Sequence, residues 1–122
     1  MGDGLKARNG GVRVTVYKNI GYYGFYAGPG VHVIDPYGIG DPLLARLPYD
    51  ANVPWAPGHF LRTVPEGYPD AAIDAGEVRD PEIAAYWARI KLVTRGALFG
   101  RQRLGEILRF NLGLDRPPHP SL

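Results

Sequence analysis

A chain of 122 residues, 45% apolar and carrying a net charge of +2, is long enough to bury one core of its own and too weakly charged to argue for nucleic acid. It has no cysteine, which excludes disulfides and thiolate zinc, and it has no apolar run of membrane-spanning length. With 17 glycines and 12 prolines, it should fold as short elements joined by many turns.

Residues 1–10 are polar and glycine-rich and contain no secretory leader. They are expected to be a disordered end or one added during cloning, ahead of a single α/β domain over 11–114 and a loose tail over 115–122. Val12–Tyr17 (VRVTVY) alternates β-branched and polar residues, which predicts a strand with Val12, Val14 and Val16 on one side. Ile20–Gly28 (IGYYGFYAG) reads as a short helix or turn. Its rings, Tyr22, Tyr23, Phe25 and Tyr26, pack in the core or form a sugar-stacking platform. The stretch only loosely matches a dinucleotide-binding glycine pattern, so no nucleotide is expected. Val31–Asp35 (VHVID) is the second strand. The expected fold class is therefore α/β: a small mixed or parallel sheet with a short glycine-rich crossover, a long proline-rich loop and two C-terminal helices. The shortness of the crossover leaves a hairpin open as the alternative.

Asp35-Pro36 ends the second strand, and Asp41-Pro42 opens a short helix that carries Arg46. Asp41 suits a helix N-cap. Asp35, at the carboxyl end of a strand, sits where ligands meet open α/β sheets. The three residues Asp35, Asp41 and Arg46 are expected to form one linked polar cluster. Pro48–Pro69 holds five prolines, so no regular element is expected there. An ordered loop of that length tends to carry function. Its candidates are Trp55, His59 and Arg62, an indole, an imidazole and a guanidinium. The only other histidines are His32 and His119, too scattered for a metal site, and neither a metal nor a cofactor is expected.

Asp80 and Pro81 open a helix whose residues Ile83, Tyr86, Trp87, Ile90 and Val93 recur at helical spacing. A second helix, from about Arg101 to Leu112, should bury Leu104, Ile107, Leu108 and Leu112. The late basic residues, from Arg89 to Arg116, read as a solvated face or, alternatively, as a face for anionic lipid headgroups or a phosphate-bearing ligand.

The succession GYYGFYAGP, VHVIDPYGIGDPLLARLP, W-x-PGHF, R-x-VPEGY, DPEIAAYWARIKLVTRGALF and RL-x-x-ILRFNLG spans about residues 20–114. It resembles the C-terminal extracytoplasmic domain of C-superfamily membrane glycosyltransferases, in particular the terminal β-(1→2) arabinofuranosyltransferases of actinobacteria. The resemblance implies a polyprenyl-phosphate-sugar donor and a cell-envelope glycan acceptor. It also implies a catalytic acid in the transmembrane half of the enzyme, outside this chain. By that resemblance the chain alone is inactive. Asp35, Asp41, Arg46, Trp55, His59 and Arg62 are its candidate glycan-binding residues because they lie in the matching motifs. The alternatives are a structural module that packs on the membrane half, and a hydrolase using Asp35 and Asp41 as a carboxylate pair.

Overall fold

The computed structural model describes residues 2–54 and 56–118. In chain order the elements are α1 (Gly2–Asn9), β1 (Val14–Val16), α2 (Ile20–Ala27), β2 (His32–Ile34), a 3-10 turn (Leu44–Arg46), α3 (Tyr68–Ala72), α4 (Pro81–Arg95) and α5 (Arg101–Asn111). The fold is a small α/β domain, as expected.

The two strands pair in parallel, with Val14 opposite His32, Thr15 opposite Val33 and Val16 opposite Ile34, so the hairpin alternative falls. The crossover can be short because the strands are. The eight residues of α2 rise about 12 Å, enough to return the chain past a three-residue strand of about 10 Å. Both strands are shorter than their sequence patterns. The Val12 amide donates to the Ala7 carbonyl (3.1 Å) and the Val31 amide to the Gly28 carbonyl (3.3 Å), so these flanking residues close turns instead of extending the ladder. Val12 and Val16 are exposed, and of the three expected partners only Val14 packs on the core.

The sheet borders two apolar clusters. Ile34 belongs to the larger one, with Leu43, Leu44, Tyr68, Tyr86, Trp87 and Ile90. Val31 and Val33, on the alternate face, pack with Ala7, Tyr23 and Ala27 in the smaller one. The second cluster exists because residues 2–9 are a helix, not the disordered end expected. A Cβ at Gly4 would stand 2.6 Å from the Tyr23 carbonyl oxygen, so only glycine lets α1 lie this close to α2.

Asp80 caps α4, accepting from the amides of Glu82 (2.9 Å) and Ile83 (3.1 Å), and Ile83, Tyr86, Trp87 and Ile90 form its buried face. Helix α5 is present over the expected range but rotated from the expected face. Its partly buried side carries Arg103, Glu106, Ile107 and Phe110, whereas Leu104, Leu108 and Leu112 are exposed. Phe110 explains the choice. Its ring meets Tyr86 edge-on at 5.8 Å and lies between the guanidinium groups of Arg46 and Arg89, each 5.3 Å away. Arg89 also pairs with Glu106 at 2.7 Å and with Asp115, which Arg109 approaches at 3.8 Å. The start of the expected loose tail is thus fastened to α4, while residues 119–122 lie outside the described part.

Candidate functional site

Two groups of residues stand at the carboxyl end of the sheet. The first is the turn after β2. Asp35 is 0% exposed. Its Oδ1 accepts from the Tyr37 amide (2.9 Å) and its Oδ2 from the amides of Ile39 (2.7 Å) and Gly40 (3.1 Å). Its carbonyl takes the Gly38 amide (2.8 Å). Pro36 forces the bend that aims these N–H groups at one carboxylate. Asp41 is 2% exposed. Its Oδ1 caps the 3-10 turn through the amides of Leu43 (3.0 Å) and Leu44 (2.8 Å), and the Tyr68 hydroxyl lies 3.0 Å from both carboxylate oxygens. Burial pushes the Asp41 carboxyl above its usual range, against the lowering pull of these donors and of His32. Burial and the adjacent carboxylate push the Tyr68 phenol far above its usual value.

Both carboxylates therefore hold the backbone and are closed to solvent, which removes the geometric basis for a hydrolytic pair. The expected cluster with Arg46 is not formed either. Arg46 donates to the Pro42 carbonyl (2.7 Å) and faces Phe110. Its place is taken by Arg62, which grips carbonyl groups rather than carboxylates. Arg62 Nη1 donates to the carbonyls of Tyr37 and Phe60, and Nε to that of Leu47 (3.2 Å); the Arg62 amide donates to the Pro36 carbonyl (2.8 Å). Gly38 has φ +67, and a Cβ there would meet Arg62 Nη1 and the Ala45 amide, each at 2.9 Å. The turn thus admits the guanidinium only because residue 38 is glycine.

The second group is a cleft of about 530 Å³. Lys18, Asn19 and the first turn of α2 form its floor, and Tyr17, Tyr22, Tyr23 and Tyr26 supply its rings. Tyr17 and Tyr23 stack at 4.0 Å, and Tyr22 and Tyr26 meet edge-on at 5.0 Å. The Tyr22 hydroxyl beside it raises the Tyr26 phenol, which therefore can donate or accept near pH 7. Asn19 precedes α2 without a side-chain capping bond. His59 closes the rim from the proline-rich loop. Its Nδ1 lies 2.8 Å from the Pro57 carbonyl, which can only accept, so Nδ1 carries the proton of that bond. The His59 ring packs edge-on against Tyr37 at 4.9 Å, and Lys18 Nζ sits over the same Tyr37 ring at 5.8 Å. Tyr22 is 60% exposed and Phe25 79%. Of the four rings read from α2, only Tyr23 is a core residue.

Of the six candidates, then, His59 lines the cleft and Arg62 holds its loop in place. Asp35 and Asp41 build the turn below, Arg46 faces α5, and Trp55 lies outside the described residues. Tyr17, Lys18 and Asn19 were not among the candidates. The signal for them was the strand end itself, where a carboxyl terminus meets a helix start. Tyr68 was missed because it sits in the proline-rich stretch. Pro69 falls in the first turn of α3, where proline is tolerated.

The turn predicts a pH response. His32 is half-buried, and its Nε2 has no hydrogen-bond partner among the described residues. Burial lowers its pKa, Arg95 lowers it further, and Asp41 only partly offsets this. A histidine whose folded pKa is depressed contributes stability that is present above its unfolded pKa, about 6.5, and is lost as pH falls below it. Between pH 7 and pH 5 this contribution opposes that of Asp41, whose carboxyl is raised by burial, so it is read as a difference: in urea the stability of the parent relative to His32→Gln should decline as pH falls from 7 to 5.

Among the described residues no three His, Asp or Glu side chains converge as metal ligands, and no helix is long and apolar enough to cross a membrane. Comparison with family models, curated proteins and solved structures gives no match.

Proposed function

We propose that the chain is a non-catalytic glycan-holding domain. In this reading it is the extracytoplasmic part of a polyprenyl-phosphate-sugar-dependent membrane glycosyltransferase of the arabinofuranosyltransferase type. It assists acceptor binding during cell-envelope polysaccharide synthesis, next to the transmembrane half of the same enzyme. The observation that carries this reading is the cleft of tyrosines at the carboxyl end of the sheet. Sugars are held by stacking their C–H faces on aromatic rings while their hydroxyl groups exchange hydrogen bonds with phenol, amide and imidazole groups. Tyr17, Tyr22, Tyr26, Asn19 and His59 bring both kinds of group to one opening. Its volume suits a short oligosaccharide segment. The succession of motifs from Gly21 to Gly113, which resembles the family's domain, supports the membrane-enzyme setting. The closure of Asp35 and Asp41 to solvent supports a holding role over a hydrolytic one.

An open cleft of this kind binds weakly, with Kd near the millimolar range, about −4 kcal/mol. Tyr22→Ala removes one exposed ring and should weaken binding of arabinan oligosaccharides roughly three- to tenfold, the worth of about one aromatic contact. Titration followed by NMR checks this. Equal affinity of the parent and Tyr22→Ala would reject the cleft as the glycan site. The isolated chain should transfer no sugar from a polyprenyl-phosphate donor.

A further inference from the structure

Helix α5 turns its leucines outward. Leu104, Leu108 and Leu112 stand four residues apart, hence on one stripe of the helix, and all three are exposed, as are Leu98 and Phe99 in the turn before it. Phe99 is 87% exposed and Leu108 61%. Nothing in the core needs this stripe, because Ile107 and Phe110 already dock the opposite side of α5 on α4. Single exposed leucines are ordinary, but a row of five large apolar side chains along one turn and one helix is not.

The charge around the stripe has one sign. Arg101 and Arg109 flank the leucines on the same outward side of α5, whereas Arg116 lies with Glu82 and Arg89 beside α4. The acids of this region face elsewhere. Glu106 and Asp115 are drawn to Arg89 on the inner side, and Arg109 reaches Asp115 only at 3.8 Å. From Arg89 to the end the chain has seven basic residues against these two acids, although the whole molecule is near neutrality.

We propose that the stripe Leu98, Phe99, Leu104, Leu108 and Leu112 is a membrane-surface docking site, with α5 lying in the headgroup region of an anionic bilayer and Arg101 and Arg109 on lipid phosphates. A protein partner for an apolar stripe would need acids to answer these arginines, whereas an anionic bilayer offers apolar depth and negative charge together. The arginine stems lie along the apolar surface while their heads reach the phosphates. Helix α5 is about 16 Å long, the scale of an interfacial anchor, not of a span. The site needs no glycan in the tyrosine cleft, so it stands or falls separately from the holding role.

The test is co-sedimentation of the chain with vesicles of phosphatidylcholine containing about 30% phosphatidylglycerol, compared with pure phosphatidylcholine. Partitioning onto the anionic vesicles should exceed that onto the neutral ones by about tenfold at low salt and weaken as salt is added. The double variant F99S/L108S should lose about tenfold in partitioning with an unchanged far-UV circular dichroism spectrum, since both side chains are exposed. R101Q/R109Q should lose the preference for anionic vesicles. No sedimentation with either vesicle overturns the proposal. So does binding that F99S/L108S leaves intact, which would make the contact purely electrostatic. A dimer in solution that F99S/L108S dissociates, with no vesicle binding, would assign the stripe to a second copy of the chain instead.

Discussion

Asp35→Asn should destabilise the domain by about 2–4 kcal/mol, while Asp41→Asn should change stability by less than about 1 kcal/mol at pH 7. The two carboxylates are equally buried, and the difference lies in what each oxygen accepts. Both Asp35 oxygens face backbone N–H groups, one on Oδ1 and two on Oδ2. An amide NH2 in either position meets donors and leaves at least one of them buried and unpaired. At Asp41 one oxygen takes both backbone amides, and the hydroxyl of Tyr68 bridges to the other. An asparagine can present its carbonyl to the amides and its NH2 to the tyrosine oxygen, which accepts as well as donates. It also removes a buried charge whose folded pKa is raised. Such a group contributes stability below its unfolded pKa that is lost as pH rises through the folded one, so Asp41→Asn gains relative to the parent as pH rises from 4 to 7. Denaturant midpoints of the two variants separate the roles, and equal losses would contradict them. A loss of the size expected for Asp35→Asn is a large fraction of the 5–15 kcal/mol that about holds a domain of this length.

Arg62→Ala is the second large effect. The side chain joins the turn after β2, the end of the 3-10 turn and the proline-rich loop through the carbonyls of Tyr37, Leu47 and Phe60. Its removal should cost about 2–4 kcal/mol, since each hydrogen bond from a charged donor contributes about 1.5–3 kcal/mol and the set is not additive. The loss should be local as well as global. Among the described residues the ends of this loop are also joined by the Asp50–Leu61 backbone bond (2.8 Å), the Tyr49–Phe60 ring contact (5.1 Å) and the His59–Tyr37 ring contact (4.9 Å). Limited proteolysis should therefore cut this loop faster in Arg62→Ala under conditions where the rest of the chain stays folded. Arg62→Lys should recover less than half of the loss, because an ammonium lacks the planar fork that reaches carbonyls on separate segments. His59 rides on the loop, so glycan affinity should fall in the same variant.

What could be read from the sequence followed from local chemistry. The caps Asp41 and Asp80 were legible because aspartate suits an N-cap and proline the first helical position, with helix-forming residues following each pair. The two strands were legible from two short β-branched runs around a glycine-rich segment, but their parallel pairing was decided against a hairpin only by the structure. What could not be read depended on distant partners. Arg46 is five residues from Asp41 and invited an ion pair, yet Phe110, from the other end of the chain, holds it. Arg62 reaches the turn only because the loop folds back on itself. On α5 the leucines and the Ile107/Phe110 pair define two candidate apolar faces at helical spacing, and only the packing of Phe110 against Tyr86, Arg46 and Arg89 selects one. The helix at residues 2–9 has little apolar content. It forms because Gly4 and Ala7 fit against α2, a tertiary fit with no local signature.

The central claim is that the tyrosine cleft holds a glycan, and chemical-shift mapping of the 122-residue chain tests it most directly. With arabinan oligosaccharides at several times the expected millimolar Kd, about 1 mM, shifts should concentrate on Tyr17, Lys18, Asn19, Tyr22, Tyr26 and His59. The same ligands should leave the amides of α5 unmoved, and the shifts should shrink in Tyr22→Ala with the fold intact. No shifts across arabinose-, mannose- and galactose-containing oligosaccharides, or shifts centred away from the cleft, would contradict the holding role and leave this chain as a packing module.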